Sequence, residues 1–312
     1  MIRTLHKRLS LLIFLLIICT PGPARAQFGV SGDKKHRILY RSLTALQWNP
    51  LGIQTDIWLG YRHRLYEHNN MAFKDNFIGP AFILRINPAF MRIGAGLEVQ
   101  PLTVLTLRAQ YEHRAYFGSV GMMQSFASPA SEHSDAEIRR RGLEEENYAG
   151  TGHQFILQAV LRAKVGPIAI LNDFAYHHFK MNLWHGDRVF YVSLFDTLAP
   201  GSGGVLINSA HLLWVTKMGW IFGARYTVTE ALYSDEDMAA GGLEENPNTP
   251  SHRVGPMLCY VFQGTGQDWK SPTLVFFLNW WIKHRYRAGQ EVNQAVPYGV
   301  LAFQFTGDLW TK

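Results

Sequence analysis

From residue 53 onward the chain repeatedly places apolar side chains at every second position. Ile53, Ile57, Leu59 and Tyr61 fall on one face of an extended segment, and Gln54, Asp56, Arg62 and Arg64 on the other. Leu105, Leu107, Ala109 and Tyr111 alternate with Thr106, Arg108, Gln110 and Glu112. Phe155, Leu157, Ala159 and Leu161 alternate with Gln154, Gln158 and Arg162. Trp220, Phe222, Ala224 and Tyr226 oppose Arg225 and Thr227, and Leu274 to Ile282 oppose Asn279, Lys283 and Arg285. Successive side chains of a strand point to opposite faces, so each segment reads as a two-faced β-strand. About twelve such segments begin near residues 41, 52, 76, 90, 103, 153, 167, 204, 218, 252, 272 and 295. They run roughly 10–15 residues each, against a usual ~5–6.

A continuous apolar face opposite one that carries arginine and glutamine deep in the strand has two solutions. A soluble sandwich buries the apolar face against a second sheet; a membrane barrel turns it to lipid and keeps the polar face inside. Strand length and interior arginines favour the barrel, and in lipid the sheet must close because no edge can stay unpaired. The fold expected is all-β: an antiparallel transmembrane β-barrel of about twelve strands, with ten or fourteen as alternatives. Asn49-Pro50-Leu51-Gly52, Asn87-Pro88, Gln100-Pro101 and Val165-Gly166-Pro167 read as short turns, and 67–75, 117–151, 182–203, 234–251 and 287–294 as longer polar connections. In the second half long and short connections alternate, as outer loops and periplasmic turns do. The 67–75 connection breaks that alternation if Asn49–Gly52 and Asn87–Pro88 are both turns, so the segment near residue 41 has a second reading as a plug or lead-in. Segments 168–181 and 204–216 alternate poorly, which suggests bulges, and Arg188 to Leu198 reads as an extra loop hairpin.

Residues 1–26 follow another pattern. Arg3, Lys7 and Arg8 precede an apolar run from Leu11 to Cys19, Pro21-Gly22-Pro23 ends it, and Ala24-Arg25-Ala26 supplies a small-residue cleavage site. That is the layout of a Sec-type signal peptide cleaved after Ala26. The expected organisation is a signal peptide over 1–26, an N-terminal lead-in over 27–40 and a barrel over 41–310.

Composition narrows the class further. Of 312 residues 17% are charged and 13% aromatic, which excludes a disordered chain or a coiled coil. The whole-chain charge is +6, but Arg3, Lys7, Arg8 and Arg25 leave with the export segment, so the mature excess falls to +2. A nucleic-acid partner is not expected of such a chain. Cys259 is then the one remaining cysteine, which excludes a disulfide-stapled scaffold. Projecting the strand faces puts Arg62, Arg64, Arg92, Arg108, Arg114, Arg162, Lys164, Arg225, Arg253, Lys283, Arg285 and Arg287 inside, with only Asp56, Glu98 and Glu112 as inward acids. Other acids crowd the loops, among them Glu132, Asp135, Glu137, Glu144, Asp235 and Glu244. An arginine-lined lumen favours small anionic solutes; the same arginines, bonded to acids and carbonyls, would instead close a narrow barrel.

With these features the chain resembles Gram-negative outer-membrane β-barrel proteins. The likeness rests on the export segment, the alternating strands, the loop asymmetry and the last strand, Pro297-Tyr298-Gly299-Val300-Leu301-Ala302-Phe303-Gln304-Phe305. That strand is similar to the terminal signal read by the barrel-assembly machinery, although here the chain continues past Phe305 to Lys312. The resemblance implies an outer-membrane location, with lipid, lipopolysaccharide and the assembly machinery as partners. Twelve-stranded members of the class include channels, translocators and lipid hydrolases, which gives three functional expectations. The first is a structural or small-solute barrel favouring anions. The second is a lipid-modifying hydrolase. The third is a binding or adhesion barrel acting through its long loops.

Candidate chemistry is sparse. Ser209 and His211 share a strand face, the one local nucleophile–base spacing along the chain. His177 and His178 are neighbours in a strand and face opposite ways, so they cannot share a metal. No Walker A motif, dinucleotide fingerprint or metal-spaced Cys/His set occurs, so no cofactor and no metal is expected. Trp58, Tyr61, Tyr66, Tyr111, Tyr116, Trp214, Trp220, Trp280, Trp281 and Tyr298 lie near strand ends, as interfacial girdle residues do. Trp58 and Trp281 project with the polar face, which also suits an aromatic track inside the lumen.

Overall fold

A computed structural model describes residues 34–312 except 185, 249, 264–269 and 290–294. The expected signal peptide lies outside the described residues. The chain forms β1 (His36–Trp48), β2 (Gly52–His63), β3 (Phe77–Ile86), β4 (Phe90–Leu102) and β5 (Leu105–Phe117). After the short β6 (Ser125–Phe126) come β7 (Ala149–Val165), β8 (Ile168–Met181), β9 (Val189–Val192) and β10 (Thr197–Pro200). The last five are β11 (Ser202–Val215), β12 (Trp220–Leu232), β13 (Ser251–Val261), β14 (Lys270–Lys283) and β15 (Tyr298–Thr311). Twelve of these form one closed antiparallel barrel, sealed where β1 pairs with β15. β6, β9 and β10 make a separate three-stranded sheet. β9 and β10 supply the loop hairpin expected over Arg188 to Leu198.

Alternation decides the two faces. On β2, Ile53, Ile57 and Leu59 are exposed on the outside while Trp58 is buried inside. On β7, Phe155, Leu157 and Leu161 face out and Gln154, Ile156 and Val160 are buried. The outer surface is therefore a band of apolar side chains, the surface a bilayer core solvates.

The described termini meet at one end, where His36 and Lys312 exchange two backbone hydrogen bonds. That turn end carries the connections 103–104, 166–167 and 216–219, with Gly166 (φ 58°) and Gly219 (φ 88°) supplying left-handed turn positions. The opposite, loop end carries 118–148, 182–201, 233–250 and 284–297. Several expectations need correction here. The segment near residue 41 is neither plug nor lead-in: β1 starts at His36, inside the stretch read as lead-in, because its pairing with both β2 and β15 closes the ring. The 49–51 and 87–89 connections are both tight turns at the loop end, and 64–76 sits at the turn end. Loop asymmetry thus begins only after β5. The 64–76 connection is ordered by α1 (Met71–Lys74) and by Asn76, whose Oδ1 accepts from the backbone N–H of Leu65 and Tyr66. The expected turn at Gln100-Pro101 lies within β4 instead. The pairing of β8 with β7 and β11 runs without a register shift; shifts occur at Ile38/Leu39, Val99/Leu102, His252/Arg253 and Lys270/Thr273.

Candidate functional site

The interior has two chemically distinct walls. On β1 to β5, inward positions bring charges from separate strands into contact. Glu98, opposite Arg108 in the β4–β5 register, lies 2.8 Å from the Arg108 guanidinium, 3.2 Å from Arg62 and 3.8 Å from Arg41. Arg62 reaches Glu98 past Gly79 on the intervening β3, where a Cβ would sit 1.6 Å from the Tyr61 carbonyl oxygen. A second hub forms at Glu112, 3.1 Å from Arg85 and 3.6 Å from Arg92. Arg85 also pairs with Asp56 at 3.3 Å, and Arg92 donates to Gln54. Arg114 donates to Gln154 and the Tyr116 hydroxyl, both at 2.9 Å. Cationic faces rest on aromatic rings: Arg41 lies 4.1 Å from the Trp58 ring centroid and Arg62 3.9 Å from that of Phe77. Such contacts stabilise a desolvated guanidinium by about 2 kcal/mol.

Across the lumen, β11 to β14 present Leu213, Ile221, Met257, Cys259, Val261 and Val275. A cavity of about 630 Å³ lies between the walls, reaching from Arg64, Lys74 and Lys270 at the turn end to Asp56, Arg85, Asp173 and His211 inside. Ten Lys and Arg residues line it against four carboxylates.

At the loop end the barrel is filled. Phe90, Tyr116, Phe179, Met181 and Val205 of the wall pack against Met123, Phe190, Val192, Phe195 and Ala199 of the loops, with Phe179 and Phe190 wholly buried. A polar clamp ties the loops together. Arg287 donates to Asp135 at 2.6 and 2.8 Å, to Asp196, and to Asn49 in the β1–β2 turn. Asp196 also accepts from the Tyr191 hydroxyl at 2.7 Å, and its backbone carbonyl lies 2.8 Å from His284 Nε2. Arg285 donates to the Pro129 and Ala130 carbonyls and to Asn248. Burial would raise the Asp196 carboxyl, but His284 and Arg287 beside it hold it below its ordinary value. Burial lowers the His284 imidazole, with Asp196 opposing, and lowers His133 to about 4 against the Ser131 carbonyl contact. Nearby, α2 (Asp135–Leu143) is capped by Ser134, and its Arg140 pairs with the loop acids Glu137, Glu144 and Glu146.

Of the residues expected to line the lumen, Arg62, Arg92, Arg108, Glu112, Arg114, Arg162 and Arg225 point inward on their strands. Three do not form part of the strand wall. Arg64 lies just past β2 at the turn-end rim beside Glu67. Lys283 ends β14 at the loop end and is exposed. Arg285, like Arg287, belongs to the loop clamp, because β14 stops at Lys283 and its alternation no longer applies. Arg37, Arg41, Arg85, Asp173 and Asp308 are inward charges that the alternation missed. Arg37 lies in the stretch read as lead-in, Arg41 at the first residue read as barrel, Arg85 beside a turn, and Asp173 in a poorly alternating strand. Arg85 faces inward as the direct β3–β4 register partner of Arg92. Trp58, Tyr116, Trp281 and Tyr298 are buried inside and do not belong to an outer girdle.

Ser209 and His211 both face inward on β11, yet they do not form a nucleophile–base pair. Ser209 Oγ lies 3.2 Å from Thr227 Oγ1 and accepts from Arg225 at 3.0 Å. A guanidinium stabilises the hydroxyl oxygen and cannot take its proton. Asp173, the register partner of Ser209, accepts two bonds from Gln158.

The chain is an outer-membrane-type β-barrel. Its closed antiparallel ring, apolar outer band and polar interior are the features that define this architecture. No protein-family model and no curated protein sequence matches it. Among solved structures it is similar to the translocator domain of the autotransporter NalP from Neisseria meningitidis, with TM-score 0.39 and 12% identity over 97% of this chain and 93% of that one. It is also similar to OccAB1 of Acinetobacter baumannii, with TM-score 0.37 and 8% identity over 92% and 100% of the two chains. LpxR from Salmonella typhimurium gives TM-score 0.36 and 10% identity over 86% and 99%.

Proposed function

We propose that this outer-membrane barrel admits small anions bearing an apolar part from the periplasm into a chamber that its loops keep shut, rather than standing as an open pore. The observation that carries this reading is the cavity of about 630 Å³ with an arginine-rich wall facing an aliphatic one. An anionic head would meet the basic excess, and a hydrocarbon part would cover Leu213, Met257 and Val275, adding about 25 cal/mol per Å² of apolar surface removed from water. The loop end faces the outside, since short turns are periplasmic and long loops external in such barrels. Delivery by a Sec-type signal cleaved after Ala26 and insertion by the barrel-assembly machinery belong to the same proposal.

Calorimetric titration of the detergent-purified barrel tests it. Decanoate is expected to bind, decylammonium not, and Met257→Asp to weaken decanoate at least tenfold. Planar bilayers should show no steady conductance at neutral pH. Equal binding of the two amphiphiles, or a permanently open channel, would overturn the reading.

A further inference from the structure

The outer surface carries a feature that the chamber does not use. His113 on β5, His153 on β7 and Lys180 on β8 stand opposite one another in consecutive registers, forming one row across three strands. All three lie on the outward face, towards the loop end, and His153 and Lys180 are exposed. The rings of His113 and His153 are 5.1 Å apart. His178, also exposed, sits two positions below Lys180 on the same face. Tyrosine hydroxyls orient the row from the membrane side: Tyr111 lies 2.8 Å from His153 Nδ1 and Tyr176 3.3 Å from His178 Nδ1. Ile93 and Ser202 continue the row on either side, so no carboxylate shares it.

The surroundings are graded along the barrel axis. Below the row, Phe155, Leu157 and Phe174 form exposed apolar wall. Above it, a concave site at the loop-end rim is lined by Tyr148, Thr151, Asn182, Leu183 and the exposed Trp184, with Ala149, Gly150 and the inward Tyr116 at its floor. Apolar wall, a row of imidazole and ammonium groups and an aromatic-lined hollow thus follow one another outward.

We infer that the outward face of β5, β7 and β8 holds a phosphorylated glycolipid of the outer leaflet. Its phosphate would lie on His113, His153, His178 and Lys180, its acyl chains on the wall below, and its sugar in the hollow above. The Lys180 ammonium gives charge-assisted bonds to phosphate oxygens and the imidazole N–H groups add donors beside it, and a cation near a membrane surface attracts anionic headgroups. The inference rests on the loop end facing outward and is independent of what the chamber takes.

The test uses the full barrel in a neutral maltoside micelle, with native mass spectrometry counting bound lipid. Bisphosphorylated lipid A is expected to bind one per barrel, at least tenfold tighter than the same lipid stripped of phosphate. The triple variant H153Q/H178Q/K180Q should lose that preference, and H153K/H178K should keep it. Both variants should bind decanoate as the parent does, which separates failure here from failure of the chamber reading and reports intact folding. Indifference of the triple variant, or equal binding of the dephosphorylated lipid, would overturn the inference. So would complete displacement of the lipid by millimolar inorganic phosphate, which would assign the row to a free anion.

Discussion

Glu98 illustrates how single residues matter inside this barrel. It is 2% exposed and lies within 4 Å of three guanidiniums drawn from β1, β2 and β5. Taking one partner out of a buried ionic group leaves uncompensated charge, a loss of about 3–5 kcal/mol. Glu98→Gln should therefore lower the unfolding free energy by that order, read from a urea titration followed by tryptophan fluorescence. Ser209→Ala removes a neutral contact to Thr227 and an acceptor for the Arg225 guanidinium, and should cost about 1.5–3 kcal/mol. Glu98 projects inward by simple alternation; Ser209 lies in a stretch that alternates poorly, and only the folded β11 turns it inward. The partners of neither follow from alternation, because they come from other strands: Arg62 on β2 meets Glu98 on β4 across β3, whose backbone approaches β2 closely at Gly79.

At the scale of elements, the loops act as one body because Arg287 joins three connections. Arg287→Met would leave Asp196 buried beside His284 without its guanidinium. The expected result is faster trypsin cleavage within 118–148 and intermittent conductance, with the twelve barrel strands still paired. Acid should act in the same direction. His133, held to about 4 by burial, faces Arg285, Asp196, His284, Tyr286 and Tyr191; His284 is lowered by burial too. The unfolded loops bind these protons more readily than the closed ones. The contribution of both imidazoles is complete above about pH 6.5 and is lost as pH falls toward 4, on the order of 2–3 kcal/mol for His133. Loop cleavage at pH 4.5 should exceed that at pH 7.5, and His133→Phe should flatten the difference. None of this clamp was legible in the sequence. Arg285 and Arg287 continue the parity of β14, so alternation assigned them to the lumen wall; the strand ends at Lys283, and only the folded loops bring Asp135 and Asp196 to them.

For the whole molecule, closure through β1 and β15 leaves the barrel sheet without a free edge and turns its apolar faces outward. Such a barrel should resist dodecyl sulfate until boiled, running faster on gels unboiled than boiled, and should fractionate with outer membrane. A single boiled-like band in unboiled samples would contradict the fold. About twelve two-faced strands and the inward arginines on β2, β4, β5, β7 and β12 follow from sequence alone, because period-two alternation is a local property that each strand expresses by itself; closure of the ring fixes the number at twelve. The tertiary structure alone decided the start of β1, the sharing of acids among arginines, the apolar half of the lumen and the filling of the loop end. Those depend on register, closure and loop packing, and they bring together residues that no local pattern connects.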